Sequence, residues 1–79
     1  MKVELRLFAT LARYLPSTSQ TDSVVVDVAE GSTVADVAAA LGIPADLSRI
    51  TLVNDVEADE SRPLHSGDVV TLFPPLAGG

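Results

Sequence analysis

The 79 residues, 47% of them hydrophobic and 4% aromatic, suffice for one modest core of Val, Leu, Ile and Ala, and no repeat or internal Pro/Gly-rich linker divides them. Five basic against eleven acidic residues give a formal net charge of −6, which disfavours nucleic-acid and anionic-membrane surfaces and suits partners with basic docking faces. The chain has no cysteine, which excludes disulfides, thiolate metal centres, iron–sulfur clusters and a thiol nucleophile within it.

The opening stretch KVELRLF sets Val3, Leu5 and Leu7 on one face and Lys2, Glu4 and Arg6 on the other, the period of a half-buried strand. This alternation is unlike the continuous apolar run of a signal peptide, and no stretch of about 18 apolar residues follows it, so a cytoplasmic location is expected. In ATLARYLP, Leu11, Tyr14 and Leu15 recur at helical spacing before Pro16, which predicts a short helix of two turns or fewer. A polar loop is expected over 17–22. SVVVDVA, with Val24, Val26 and Val28 in phase, predicts a second strand that pairs with the first.

GSTVADVAAALG carries the 3.6-residue period through Val34, Val37, Ala38 and Leu41. Ser32 or Thr33 offers the N-cap, Asp36 the partner of a capping box with Thr33, and Gly42 the left-handed stop. ITLVND predicts a short strand ending in a turn at Asn54-Asp55. PLHSGDVVTLF predicts a turn at Ser66-Gly67 and a last strand from about Asp68 to Phe73. The order ββαββ is that of an α+β domain in which a mixed sheet is crossed by one main helix, and the β-grasp is its natural form. In that fold the first and last strands are neighbours at the centre of the sheet, so residues after Phe73 leave from its middle.

The chain ends LFPPLAGG. Pro74 has no N–H to continue a ladder, and Pro74-Pro75 hold the backbone extended. A domain over 1–74 and a flexible tail over 75–79 are therefore expected. The six residues from Pro74 to Gly79 span roughly 20 Å when extended. Gly78 and Gly79 lack a Cβ, so they can thread a channel too narrow for side chains and present the Gly79 carboxylate without bulk. The tail reads as a substrate inserted into a partner's active site, with Pro74, Pro75, Leu76 and Ala77 as the threaded arm. Strand alternation sends Val70 and Leu72 to the helix-covered face, and Val69, Thr71 and Phe73 to the open face as a docking surface, with Phe73 exposed at the root of the arm.

Other constellations carry less. His65-Ser66 resembles a nucleophile pair, but no nearby carboxylate is expected to orient the imidazole. DVEADE alternates acids like a calcium loop, yet Glu60 sits where glycine is required and Ser66 where the bidentate Glu belongs. EGST before the helix is explained by N-capping, and no Gly-rich nucleotide loop is present. Neither a metal site nor a cofactor site is predicted in this chain.

RLFATLARYLP after an N-terminal strand, VNDV at a mid-chain turn and PLHSGDVVTLFPPLAGG at the end, in ββαββ order, resemble the MoaD/ThiS family of ubiquitin-like sulfur carriers. The end motif is most similar to the small subunit of molybdopterin synthase. The chain departs from that pattern at Ala12, where Arg is frequent, and at Asp55, where many members have Gly. The resemblance implies a carrier and not an enzyme. A MoeB/ThiF-type adenylating enzyme would use ATP and Mg²⁺ to form an acyl-adenylate at Gly79. Sulfur would displace AMP to leave a thiocarboxylate, which a MoaE-type large subunit would deliver to a pterin precursor in molybdenum cofactor biosynthesis. Carriers for thiamine or other pathways share these features. Two further readings remain open: a protein modifier joined to lysine amines through Gly79, and an interaction module whose Gly-Gly is incidental.

Overall fold

The computed structural model describes residues 1–15, 22–44 and 46–75. A five-stranded sheet has the order β2-β1-β5-β3-β4, built from β1 (Lys2–Leu7), β2 (Ser23–Asp27), β3 (Ile50–Val53), β4 (Val56–Glu57) and β5 (Val69–Phe73), with helix α1 (Val34–Ala40) between β2 and β3. β1 pairs antiparallel with β2 and parallel with β5, and β5 pairs antiparallel with β3. The first and last strands are thus adjacent in the middle of a mixed sheet, as the β-grasp reading requires.

Alternation decides the core. Val3, Leu5 and Leu7 of β1, Val70 and Leu72 of β5 and Val53 of β3 are buried in one cluster with Val34, Val37 and Ala38 of α1 and with Leu11, Ile43 and Leu64. α1 is short but closed at both ends. Thr33 Oγ1 accepts from the Asp36 N–H at 3.3 Å, while the Thr33 N–H donates to Asp36 Oδ2 at 2.9 Å, which satisfies two otherwise orphaned groups reciprocally. At the other end Gly42 adopts φ +82°. The Gly42 N–H then donates to Ala39 O at 2.9 Å and the Ile43 N–H to Ala38 O at 3.1 Å, the paired bonds of a Schellman stop whose flanking apolar residue, Ile43, enters the core.

Two elements differ from expectation. The segment Ala9–Tyr14 is a 3₁₀ helix: its first residue, Ala9, has φ +54° and no side chain caps its start, so only a tight coil with Leu11 buried forms there. The second hairpin gains β4, which turns ββαββ into ββαβββ. Asn54 and Asp55 both take positive φ, 53° and 69°, the type I′ geometry that folds Val56 and Glu57 back on β3. The expected helix stop at Pro16, the loop over 17–21 and the tail residues 76–79 lie outside the described residues.

Pro44 and Leu47 are tied to Glu60 by one side chain. The Arg49 side chain, 2% exposed, donates from Nη1 to Pro44 O at 3.0 Å and Leu47 O at 3.1 Å, and from Nη2 to Glu60 Oε1 at 2.7 Å. It joins the chain after α1 to the chain after β4.

Candidate functional site: the open sheet face and the exit of β5

The face turned away from α1 is set by the strand registers. Arg6 lies beside Thr71, which lies beside Leu52; Glu4 lies beside Val69; Phe73 lies beside Ile50. The Phe8 N–H donates to Leu72 O at 3.2 Å, continuing the parallel ladder so that Phe8 falls in the row of Phe73. Val69, Thr71 and Phe73 therefore share one face with Phe8, Ile50 and Leu52. On the β2 side this face carries Val25, 60% exposed. Its charged part is the ion pair of Arg6 Nε with Glu4 Oε2 at 2.8 Å.

Phe73 is half-buried, as are Val69 and Thr71, so it does not stand free as alternation alone suggested. A central strand with a neighbour on each side shields it. Phe8, 38% exposed, is not legible in the sequence as part of this face, because it follows three polar positions in phase, Lys2, Glu4 and Arg6, and lies just beyond the end of β1. The backbone bond to Leu72 supplies the long-range fact that places it. Ile50 and Leu52 could be found only by knowing that β3, and not β4, borders β5. Beyond Phe73, Pro74 is half-buried and Pro75 exposed. Leu76, Ala77, Gly78 and Gly79 lie outside the described residues.

The start of β5 is held by a polar knot. Asn54 Nδ2 donates to Asp68 Oδ1 at 3.0 Å, the His65 N–H donates to Asp68 Oδ2 at 2.8 Å, and the Val69 N–H donates to Asn54 Oδ1 at 3.0 Å. The Asn54 N–H donates to Val69 O at 2.8 Å. The His65 amide first, and the Asn54 side chain second, hold the Asp68 carboxyl below its ordinary range, since both donate to the charged form. The expectation that no carboxylate stands near His65 is corrected here: Asp68 Oδ2 is 3.9 Å from His65 Nδ1. The imidazole is still 82% exposed and beyond hydrogen-bond distance, so the carboxylate serves the backbone and does not orient a catalytic base.

No group of three or more metal-ligating side chains is clustered among the described residues, and among them no helix is long and apolar enough to cross a membrane. What the geometry offers is an apolar sheet face with a central strand running off its edge into Pro-Pro.

The sequence model of the family described as Mut7-C ubiquitin matches residues 1–77. The chain belongs to the Mut7-C ubiquitin family. Its ubiquitin-like fold is the one shared with MoaD and ThiS, so the resemblance read from the end motifs holds. No curated protein matches the sequence significantly. Among solved structures, this Mut7-C ubiquitin chain is similar to SAMP1 from Haloferax volcanii, at 29% identity and TM-score 0.77 over 100% of both chains. It is also similar to a chain in the complex of subunits 1 and 2 of molybdopterin-converting factor from Helicobacter pylori, at 25% identity and TM-score 0.64 over 100% of both chains. Small archaeal modifier protein 1 from Methanosarcina acetivorans, at 21% identity and TM-score 0.68 over 99% of this chain and 96% of that one, shares the fold. The chain's relatives are thus small ubiquitin-like proteins, named as modifiers or as one subunit of a two-subunit factor.

Proposed function

We propose that this chain is a sulfur carrier whose Gly79 carboxylate is the reacting group. The observation that carries the reading is the exit of β5: a central strand, flanked by an open apolar face, runs through Phe73 into Pro74-Pro75, and the sequence continues Leu76-Ala77-Gly78-Gly79. A carboxylate is a poor electrophile. A MoeB/ThiF-type enzyme with ATP and Mg²⁺ converts it to an acyl-adenylate, and a sulfur donor displaces AMP to give the thiocarboxylate. In this chain Gly78 and Gly79 thread the partner's channel, Pro74, Pro75, Leu76 and Ala77 form the arm, and Val69, Thr71 and Phe73, extended by Phe8, Ile50 and Leu52, dock the partner. The side chains that catalyse belong to the partner, and no cofactor is bound here.

The similarity to a chain from a complex of molybdopterin-converting factor subunits 1 and 2 supports a MoaE-type large subunit as acceptor and molybdopterin synthesis as the pathway. The similarity to SAMP1 favours a second reading, in which the same adenylate is passed to an amine and Gly79 modifies proteins. Both readings require activation at Gly79. Incubation with ATP, Mg²⁺ and the adenylating enzyme, followed by capture with hydroxylamine, should yield a hydroxamate at Gly79 in the full chain and none when Gly79 is deleted. Equal capture from the truncated chain would refute both.

A further inference from the structure

The 79 residues contain a single lysine, Lys2. It lies at the start of β1 on the open face, its side chain 73% exposed, and among the described residues it meets Asp27, Nζ to Oδ2 at 3.8 Å, a surface pair of little strength. The amine of Met1 is occupied: it donates to Val28 O at 2.7 Å and to Asp27 Oδ1 at 3.4 Å, and the Met1 side chain is 3% exposed. Of the two, Lys2 has the accessible nitrogen.

Its place in the fold decides what it can accept. β1 and β5 run parallel, and the Gly67 N–H donates to Lys2 O at 2.8 Å, so Lys2 stands beside the residues that precede β5. Phe73 is six residues further on, roughly 20 Å along the strand. β5 ends at the far pole and is followed there by Pro74-Pro75, residues that favour extended backbone. To reach its own Lys2, a chain would have to reverse at Pro74 and lie almost fully extended back along the sheet. Another copy's Lys2 needs no reversal.

We propose that Lys2 is an acceptor site through which copies of this chain are joined, the Gly79 carbonyl of one to the Lys2 amine of the next. The inference rests on activation at Gly79 as proposed above. The Lys2 ammonium releases a proton to solvent, and its lone pair attacks the carbonyl carbon of the acyl-adenylate. A C–N bond forms, the C–O bond to AMP breaks, and a second proton leaves the nitrogen. The products are an isopeptide bond and AMP, with ATP the co-reactant consumed in forming the adenylate. Each copy carries one donor and one acceptor, so repeated joining gives a head-to-tail row.

The test uses isotope-labelled full chain incubated with ATP, Mg²⁺ and extract of the cells that make it, analysed by denaturing gel and tandem mass spectrometry, with hydroxylamine capture run in parallel. Wild type should give species of two and more units linked at Lys2. Lys2→Arg should lose them while giving the same yield of Gly79 hydroxamate, which also shows that the variant is folded and activated. Linked species that persist in Lys2→Arg, or hydroxamate without any linked species in wild type, would overturn the acceptor role and leave activation standing. A wild-type chain that gives no hydroxamate would overturn the activation reading and the acceptor role together.

Discussion

Asp68 shows how one side chain can fix where the last strand begins. Its two oxygens take the His65 amide and the Asn54 side chain, so the turn at Gly67, the β3–β4 turn and the first residue of β5 are tied together. Asp68→Ala removes these acceptors and should cost about 1 to 3 kcal/mol, read by thermal or urea unfolding. The carboxyl is held below its ordinary range, so its stabilising effect is complete above the unfolded value of about 3.9 and is lost as pH falls through the lower folded value. The acid limb of wild-type unfolding should therefore be steeper than that of Asp68→Ala below about pH 4, and identical slopes would remove Asp68 from this account. At the other end of β5, Phe73→Ala and Phe8→Ala should each weaken binding to the adenylating enzyme by about 2 kcal/mol, a typical hot-spot cost, as measured by calorimetry. Affinities equal to wild type would move the docking surface elsewhere.

Among the elements, α1 is the one whose ends were most legible in the sequence. Thr33, Asp36 and Gly42 announce the capping box and the left-handed stop by local chemistry alone, and both form as read. Thr33→Ala should lower stability by about 1 kcal/mol. Gly42→Ala, at φ +82° with open space around the added Cβ, should cost about 1 to 2 kcal/mol from backbone strain without any clash; a loss well beyond this would mean that the loop after α1 depends on the glycine in another way. Arg49 was not legible. Its bonds to Pro44, Leu47 and Glu60 link segments that no sequence period connects, as do the rows that gather Phe8, Ile50 and Leu52 around Phe73. Strand alternation assigned faces correctly for Val69, Thr71 and Phe73, because the side-chain period of a strand is a local property. Which strands are neighbours is not local, and the two-residue β4 was too short to carry a pattern at all.

The molecule as a whole has two poles. One gathers the start of β1, Lys2 and the Gly67 turn. The other releases β5 into Pro74-Pro75. The open apolar face runs between them on a chain of net charge −6. A partner that docks there with basic residues should bind less tightly as salt rises, chiefly through slower association. Binding unaffected by salt would limit the interaction to the apolar rows. The central claim is that Gly79 is the reacting residue, and it is tested most directly by the intact mass of the protein isolated under non-reducing conditions from the cells that make it. The account predicts a fraction of chains ending at Gly79 with one terminal oxygen replaced by sulfur, a replacement reversed by hydrolysis. A population that ends at Gly79 and carries only the ordinary carboxylate, even when the adenylating enzyme and sulfur donor are abundant, would contradict it.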